Sequence, residues 1–423
     1  MTIFAPLTGR GGAVTLVRLS GPQALAIAVA LAGALPKPRH AALRRLTHEG
    51  RVLDEALLTI FPAPHSFTGE DCAELSLHGG RAVWAAIAGA LTALGARPAE
   101  AGEFSRRALY NGKLDLLGAE AMADLIAAET DAQRAQAVEN MHGLMAAITG
   151  WREQLRQLIA RQEALIDFPD EDLPPEIDAA LVAGIARLRD DMQAALGAAP
   201  AAERLREGLE FVILGAPNAG KSTLLNALAG DDIAIVSDQP GTTRDALGVR
   251  VDLGGVPVHL TDTAGLRETT DQSEAEGVRR AKARAARADF LLLTAAPGEA
   301  FPQPPLGTPH LRLRTKSDLA SSPGGDLALS AKTGQGLAAL RARLIQAAHD
   351  LTDTKGAAAL ARPRQVACVR DAAQALTAAL ALDDPELRGE ELRMAAHALA
   401  RLAGAIGVEE VLDAVFSSFC IGK

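Results

Sequence analysis

The sequence is poor in cysteine and in aromatic residues. Its three cysteines, Cys72, Cys368 and Cys420, are odd in number, and none is paired at the spacing of metal ligands. This usage argues against a disulfide framework or a zinc site and is typical of proteins of a reducing cytosol. Aromatic residues make up only 3% of the chain, which leaves no visible platform for stacking nucleic-acid bases.

Long apolar runs and an excess of basic charge are lacking as well. No uninterrupted apolar stretch reaches membrane-spanning length, and the N-terminus has neither the basic flank nor the apolar core of a signal peptide. Lys and Arg number 43 against 52 Asp and Glu, a formal net charge of −9, which argues against a broad basic surface for nonspecific nucleic-acid binding. These absences predict a cytoplasmic protein without a membrane span.

What the sequence does contain is enough chain for several domains. At about 150 residues per domain, 423 residues predict roughly three. Residues up to about 115 mix strand-like alternation with Gly and Pro, which favours an α+β domain. Ala-rich helical patterns follow, with few breaks from Met122 to Ile166. They give way near residue 208 to alternating strands and helices, with two strand-like runs at 249–253 and 256–260 around Gly254 and Gly255, and they return after about residue 350. We therefore predict a multidomain α/β plus α protein in which an α/β domain is inserted into a helical domain.

A phosphate-binding loop is predicted at residues 215–222, G-A-P-N-A-G-K-S. It follows a predicted strand and opens a predicted helix, the context in which G-x-x-x-x-G-K-[ST] binds phosphates. The glycines let backbone N–H groups point at the phosphates. Lys221 is expected to reach the β and γ oxygens, and the Ser222 hydroxyl is expected to ligate Mg²⁺.

Two further segments extend this site. The sequence D-T-A-G at 262–265 ends a predicted strand and places the Asp262 carboxylate beside the Mg²⁺. The sequence G-T-T-R-D at 241–245 lies where a mobile loop supplies a second Mg²⁺ ligand, for which Thr243 is the candidate. Leu266 stands where Ras-like enzymes carry a water-positioning Gln, so another group must orient water and supply charge.

The sequence T-K-S-D at 315–318 predicts selection of guanine. Asp318 can accept two hydrogen bonds, from the ring N–H and the exocyclic amine of guanine, and adenine presents no such pair of donors. Backbone N–H groups of the S-A-K sequence at 330–332 can complete the pocket, so four ordered elements resemble the translation-factor-related GTPases. Thr315 stands where that pattern usually has Asn. Because Thr lacks the carboxamide that bridges loop and purine, we expect weaker affinity, with guanine selectivity retained through Asp318.

Extended forms of these motifs identify a narrower family. The inserted domain combines P-N-A-G-K-S-T-L-L-N-A-L, G-T-T-R-D and D-T-A-G-L-R-E. Matching segments outside it are R-L-S-G-P at 18–22, S-F-T-G-E-D at 66–71, Glu74 with H-G-G at 78–80, E-F-S at 103–105, N-G-K-L-D-L at 111–116, I-D-F-P at 166–169 and F-C-I-G-K at 419–423. Over almost its whole length the chain resembles the bacterial tRNA-modification GTPases of the MnmE or TrmE type.

The resemblance implies an organisation and an activity. It implies a tetrahydrofolate-binding and dimerisation domain at 1–115, a helical domain in two parts at 116–207 and 351–423, and a Ras-like P-loop GTPase domain at 208–350. It also implies a homodimer that acts with an FAD-dependent partner of the MnmG (GidA) type in a heterotetramer or larger assembly. Together they would use a tetrahydrofolate one-carbon donor to add a (carboxymethyl)aminomethyl group to the 5 position of wobble uridine in certain tRNAs.

Site residues follow from the resemblance position by position. The folate contacts implied are Arg18, Glu74, Lys113 and Lys423, the catalytic residue is Glu274, the K⁺ contacts are Asn218, Ser237, Gln239 and Thr242, and the Mg²⁺ ligands are Ser222 and Thr243. The GTP contacts implied are Asn218, Ala219, Gly220, Lys221, Ser222, Thr223, Ser237, Asp238, Gln239, Pro240, Gly241, Thr242, Thr243, Asp262, Thr263, Ala264, Gly265, Thr315, Lys316, Asp318, Ser330, Ala331 and Lys332. Cys420 is either a buried structural thiol or a reactive one.

A second interpretation shares the same nucleotide site. The chain could be a regulatory GTPase that switches the assembly of ribosomal or other RNA particles. The first 115 residues and the terminal C-I-G-K favour the modification enzyme, because a pure assembly switch needs neither.

Overall fold

The computed structural model describes residues 1–9, 12–167, 175–230, 248–262, 283–320, 323–402, 404 and 422. These residues form two compact units. The first contains the described residues of 1–123 and 400–423, and the second those of 124–399. In this described part of the chain, no helix is long and apolar enough to cross a membrane.

The first unit is built on a six-stranded sheet. Its elements are β1 (Ile3–Pro6), β2 (Val14–Ser20), α1 (Ala24–Ala32), β3 (Ala42–His48), β4 (Arg51–Phe61), β5 (Cys72–His78), α2 (Arg81–Ala93), β6 (Arg97–Pro98), α3 (Glu103–Tyr110) and the start of α4 (Leu116–Ala127). Within the described residues the strand order is β3-β4-β5-β2-β1-β6. The short β6 pairs parallel to β1, and the other neighbours are antiparallel.

Alternation along the strands decides which side chains reach the main core. Val17 and Leu19 of β2 and Leu75 of β5 are buried in one cluster with residues of α1 and α2. Because successive residues of a strand point to opposite faces, Arg18 and Glu74 lie on the other face of the sheet. The antiparallel register sets these two residues directly opposite each other.

The second unit combines a sheet with long helices. Its elements are the end of α4, then α5 (Asp131–Glu139), a π-helical turn (Asn140–Leu144), α6 (Met145–Asp167), α7 (Pro175–Glu207), β7 (Leu209–Gly215), α8 (Lys221–Ala229), β8 (Gly248–Leu253), β9 (Val256–Asp262), β10 (Phe290–Ala295), β11 (His310–Arg314), β12 (Leu327–Ala328), α9 (Leu337–Thr352), α10 (Pro363–Leu380) and α11 (Pro385–Leu402).

The second sheet has the order β12-β11-β10-β7-β9-β8 among the described strands. All its neighbours are parallel except the hairpin of β8 and β9. Strand β7 lies between β9 and β10, and Phe211, Val212 and Ile213 are completely buried. Its apolar run therefore reflects a parallel strand covered on both faces. Loops that follow neighbouring parallel strands meet at one edge of the sheet, which is where open α/β sheets bind ligands.

The helical segments differ from the sequence expectation in one respect. The pattern predicts helix with few breaks from Met122 to Ile166, but the chain is interrupted before Asp131. The Thr130 hydroxyl accepts a hydrogen bond from the Gln133 N–H and caps α5, and a π-helical turn then separates α5 from α6. A Ser or Thr cap of this kind competes with helix continuation, and Ala-rich periodicity does not register it. The predicted boundaries at 115, 207 and 350 remain predictions.

Candidate functional site

The phosphate-loop sequence connects β7 to α8. Asn218 and Gly220 have φ values of +65° and +87°, and the chain turns sharply there into the helix. A Cβ at Gly215 would lie 2.2 Å from Oγ1 of Thr294 on the neighbouring strand. Only glycine permits this close approach of the loop to β10.

Lys221 lies at the first turn of α8 and is 5% exposed. Its Nζ donates hydrogen bonds to the carbonyl oxygens of Gly215, at 3.0 Å, and Ala216, at 2.8 Å. The ammonium group and the N-terminal N–H groups of α8 are thus held at one place. This combination of a cation with the positive end of a helix suits the binding of phosphate.

Two oxygen-bearing side chains meet beside this loop. The Ser222 hydroxyl donates a 2.6 Å hydrogen bond to the Asp262 carboxylate, which ends β9 and is 3% exposed. A hydroxyl and a carboxylate are hard oxygen donors of the kind that Mg²⁺ prefers. The donor set therefore fits the predicted Mg²⁺ site, whose other predicted ligand, Thr243, lies outside the described residues.

The two predicted base-binding segments are adjacent in the structure. The Ser317 N–H donates to the Leu329 carbonyl at 3.1 Å, and the Leu329 N–H donates to the Arg314 carbonyl at 2.8 Å. Asp318 is exposed, and a hydrogen bond from Ser330 together with the charges of Lys332 and Lys316 lowers its pKa. Asp318 is consequently a carboxylate at neutral pH, able to accept hydrogen bonds from two donors.

Thr315 contacts the phosphate loop. It is 3% exposed, and its hydroxyl donates a 2.7 Å hydrogen bond to the carbonyl oxygen of Ala219 in the phosphate loop. Thr315 thus contacts the phosphate loop through its hydroxyl, and the weaker nucleotide affinity expected from the missing carboxamide remains a prediction.

Part of the predicted nucleotide set can be placed and part cannot. Thr223 lies in the first turns of α8, and Ala331 packs against the core of the second sheet beside Ser330. The predicted residues outside the described chain are Ser237, Asp238, Gln239, Pro240, Gly241, Thr242, Thr243, Thr263, Ala264, Gly265, Glu274, Cys420 and Lys423.

A second constellation of side chains lies on the face of the first sheet opposite the main core. The Arg18 guanidinium contacts the Glu74 carboxylate at 2.8 Å, with both side chains less than one fifth exposed. It also lies 4.9 Å from the ring centroid of Phe67 and 5.8 Å from that of Phe104. Lys113 packs along the loop that carries Phe67, since a Cβ at Gly69 would come within 3.2 Å of Lys113 Cγ. The structure therefore brings Arg18 and Glu74 together and places Lys113 against the adjoining loop.

Phe67 and Phe104 were missed as site residues by the sequence reasoning. Each contributes a ring to the Arg18 guanidinium, an arrangement that favours the cation through the ring quadrupole. Both residues lie in segments on which the family resemblance rests, S-F-T-G-E-D and E-F-S. No functional role was assigned to either phenylalanine from the sequence. Nothing local in those segments indicates that both rings meet one arginine.

A network of ion pairs supports the same region. Arg107 binds Glu70 at 2.9 Å and Glu103 at 2.9 Å, and Arg97 binds Glu103 through both of its terminal nitrogens. Burial raises the pKa of Glu103, but hydrogen bonds from Arg97, from the Glu100 N–H and from Arg107 lower it to about 2. Glu103 therefore stays ionised at neutral pH, and the ion pairs of Arg107 join α3 to Glu70 in the loop that also carries Phe67.

The described part of the C-terminal tail reaches the first strand. Gly422 is buried with φ of +110°, and a Cβ there would lie 2.2 Å from the Pro6 carbonyl oxygen. Substitution of this glycine would force the tail away from β1.

A cleft of about 810 Å³ also opens in the first unit. Its lining residues are Phe4, Ala5, Pro6, Thr8, Gly9, Trp84, Ala88, Gly89, Thr92, Ala93, Pro98 and Ala99. The lining is mainly apolar and contains none of the predicted folate contacts. Within the described chain, this cleft and the Arg18 and Glu74 constellation are thus lined by different residues.

Two solved structures are similar to part of this chain. The FeoB G-domain from Methanococcus jannaschii is 23% identical, with a TM-score of 0.26, and the match covers 34% of this chain and 98% of that one. Aquifex aeolicus Era Y63A bound to GDP.AlF4- is 21% identical with a TM-score of 0.25, covering 42% and 69% respectively.

Comparisons of sequence extend over the whole chain. The model of the MnmE helical domain matches residues 116–420, and that of the GTP-binding protein TrmE N-terminus matches residues 2–113. The tRNA modification GTPase MnmE of Acidiphilium cryptum is 61% identical over 100% of this chain and 98% of its own length. That of Gluconacetobacter diazotrophicus is 51% identical over 100% and 99%. The protein is therefore a member of the MnmE family of tRNA modification GTPases.

Proposed function

We propose that this chain is a potassium-activated GTPase which, with an FAD-dependent partner of the MnmG type, modifies the 5 position of wobble uridine in certain tRNAs. The group added is a (carboxymethyl)aminomethyl group, and a tetrahydrofolate derivative donates its one-carbon unit. The observation that carries the proposal is the presence of two separate polar constellations. One surrounds Lys221 in the phosphate loop, and the other surrounds Arg18 and Glu74.

The proposed domains divide this work. Residues 1–115 bind the folate and form the homodimer, residues 208–350 bind and hydrolyse GTP, and residues 116–207 with 351–423 form the helical domain that joins them. The protein acts in the cytoplasm, with its partner in a heterotetramer or larger assembly. The net charge of −9 supports a role for the partner in holding the tRNA, because the chain offers little basic excess for the phosphates.

At the nucleotide site, Lys221 and the N–H groups of the loop hold the phosphates. Ser222, Thr243 and the Asp262 carboxylate would hold Mg²⁺, which would neutralise charge on the phosphate oxygens. Asp318 accepts hydrogen bonds from the guanine edge, while residues 330–332 close the pocket. In the described chain, Ser330 already supports Asp318 in the ionised form that this role requires.

At the folate site, Glu74 recognises the pterin. Both contacts from Arg18 go to Oε1 of Glu74, and none of the hydrogen bonds among the described residues uses Glu74 Oε2. That oxygen can accept from the amide-and-amine edge of a pterin while Arg18 keeps the carboxylate in place. The basic residues Lys113 and Lys423 can meet the glutamate tail of the folate. The approach of Gly422 to Pro6 supports a return of the C-terminus to this domain.

Hydrolysis should be faster in K⁺ than in Na⁺, by about 10-fold or more. Leu266 stands in place of a polar water-positioning residue. The positive charge can come from a monovalent cation held by Asn218, Ser237, Gln239 and Thr242. In other GTPases an arginine finger supplies this charge and raises the rate by about 10³–10⁵. The measurement is steady-state GTP hydrolysis in matched salts. Equal rates in the two salts would refute the role of the ion.

Glu274→Ala should slow turnover while GDP affinity persists.

The modification itself is tested in the cell. Mass analysis of tRNA nucleosides from a strain lacking this chain should show loss of the (carboxymethyl)aminomethyl uridine, and expression of the intact chain should restore it. A Lys221→Ala variant should fail to restore it, because the phosphate loop loses its cation. Unchanged nucleosides together with an accumulation of immature ribosomal particles would instead support a regulatory switch.

A further inference from the structure

Arg314 is a buried arginine at the end of β11. It is 6% exposed and immediately precedes the T-K-S-D segment at 315–318. All of its hydrogen-bond acceptors among the described residues are backbone carbonyl oxygens. Nη1 donates to Ala296 at 2.9 Å and to Glu299 at 2.8 Å, and Nη2 donates to Pro323 at 3.2 Å. A guanidinium holds its donors in a fixed planar fork, so one side chain can bind carbonyls of separate segments.

An aromatic ring and a glycine pack beside this guanidinium. The ring centroid of Phe301 lies 4.3 Å from Cζ of Arg314, where the ring quadrupole favours the cation. Gly325 has φ of +98°, and a Cβ there would lie 3.1 Å from Cζ of Phe301 and 3.2 Å from the Arg312 carbonyl oxygen. The segment that follows T-K-S-D therefore packs closely against the ring that contacts Arg314.

These contacts restrain the base-binding segment at both of its ends. Ala296 and Glu299 lie in the loop after β10, and Pro323 lies five residues after Asp318, so Arg314 joins the chain before the segment to the chain after it. A buried cation that is held by carbonyl oxygens rather than by a carboxylate keeps much of its desolvation cost. A gain in stability alone therefore does not account for an arginine here.

We propose that Arg314 is a positioning residue that holds the T-K-S-D segment in the geometry with which Asp318 selects guanine. The inference rests on the proposed guanine site and deepens it. Asp318 lies on an exposed turn, and an unrestrained turn would lose conformational freedom when a nucleotide binds. A turn whose two ends are joined through one guanidinium carries less of that ordering cost. Arg314 thus acts on affinity and base discrimination through Asp318.

Replacement of Arg314 by methionine tests the proposal. Arg314→Met fills much of the same space but loses every guanidinium hydrogen bond, and we expect GDP to bind about 10-fold more weakly. Arg314→Lys keeps the charge but lacks the planar fork, so it should bind GDP about 3- to 10-fold more weakly. Because the change acts on ground-state binding, KM for GTP should rise while kcat at saturating GTP stays within about 2-fold. The measurements are GDP titration and steady-state hydrolysis.

Inosine diphosphate supplies a readout that a purely structural residue would not move. It lacks the exocyclic amine of guanine, so the wild type should bind GDP about 10-fold more tightly, through the additional hydrogen bond to the Asp318 carboxylate. In Arg314→Met this ratio should fall to about 3-fold or less, because Asp318 is no longer held where both donors of guanine reach it. Competition titrations give both affinities.

The matched control is Arg388→Met. Arg388 is also 6% exposed, and in α11 it donates to the Leu382 carbonyl and to the Asp178 carboxylate. This variant removes a buried guanidinium from the helical segments, so it should lower the unfolding temperature but leave the GDP affinity and the ratio of GDP to inosine diphosphate affinity unchanged. If Arg314→Met does not fold, Arg314→Lys carries the same expectations.

Three results would overturn the inference. Arg314→Met could bind GDP as tightly as the wild type, or it could weaken GDP and inosine diphosphate by the same factor, which would make Arg314 a structural residue only. Wild-type affinity in Arg314→Lys would show that no bridge between the segments is needed. Failure of the guanine site itself is distinguishable, because the wild type would then bind GDP, inosine diphosphate and ADP equally.

Discussion

Replacing Asp318 by asparagine should turn the preference of the site from guanine to xanthine nucleotides. The carboxylate accepts from two donors on guanine, whereas an asparagine amide offers one acceptor and one donor group. Each hydrogen bond to a charged group contributes about 1.5–3 kcal/mol, so the loss of a matched pair should weaken GTP binding by about 100-fold. Xanthine presents an acceptor where guanine has its amine, and it can pair with the new amide.

Competition titrations with GTP, xanthosine triphosphate and ATP measure this change. The wild type should bind GTP and GDP, and ATP should not compete. Asp190→Asn on α7, an exposed carboxylate paired with Arg189, is the control, and it should leave all three affinities unchanged. Equal affinity of the wild type for ATP and GTP would contradict the assignment of Asp318.

Replacing Glu74 by glutamine should abolish tRNA modification while leaving GTP hydrolysis near its original rate. The carboxamide keeps the shape of the side chain but removes the charge that pairs with Arg18 and accepts from the pterin edge. Charged hydrogen bonds of about 1.5–3 kcal/mol each predict a loss in tetrahydrofolate affinity of about 10- to 100-fold. Potassium-stimulated hydrolysis should stay within about 2-fold, since Glu74 lies in the first unit and the described nucleotide residues in the second.

Deletion of residues 420–423 should give the same separation of activities. Gly422 approaches the Pro6 carbonyl oxygen, so removal of the tail takes Lys423 from the proposed folate site without touching a nucleotide-binding residue. Folate binding is measured by calorimetry, and modification by nucleoside mass analysis. Glu153→Gln on α6, an exposed residue paired with Arg156, serves as the control and should retain both activities. Normal modification by either variant, or a parallel loss of GTPase activity, would show that the two-site proposal is wrong.

The sequence by itself determined the features that depend on neighbouring residues. Strand β7, the glycine turn and the start of α8 follow from an apolar run, the G-x-x-x-x-G-K-S spacing and a helical pattern, because each rests on local backbone preferences. The alternating runs at 249–253 and 256–260 are typical of strands, and β8 and β9 lie there. They form a hairpin whose turn residues, Gly254 and Gly255, both have positive φ. The same local patterns did not show where α5 begins, because the helical period of the Ala-rich sequence continues through Thr130, the N-cap of α5.

Only the tertiary structure decided which distant side chains meet. Arg18 and Glu74 are opposite each other because β2 and β5 pair in one antiparallel register, and α3 supplies Phe104 to the same guanidinium. Thr315, which follows β11, reaches Ala219 after β7 because β10 pairs with both strands. Strand order and register are set by the burial of whole faces, so no local pattern contains them. The nucleotide-binding segments could be found from their spacing, whereas the contacts that position them depend on how the sheet is assembled.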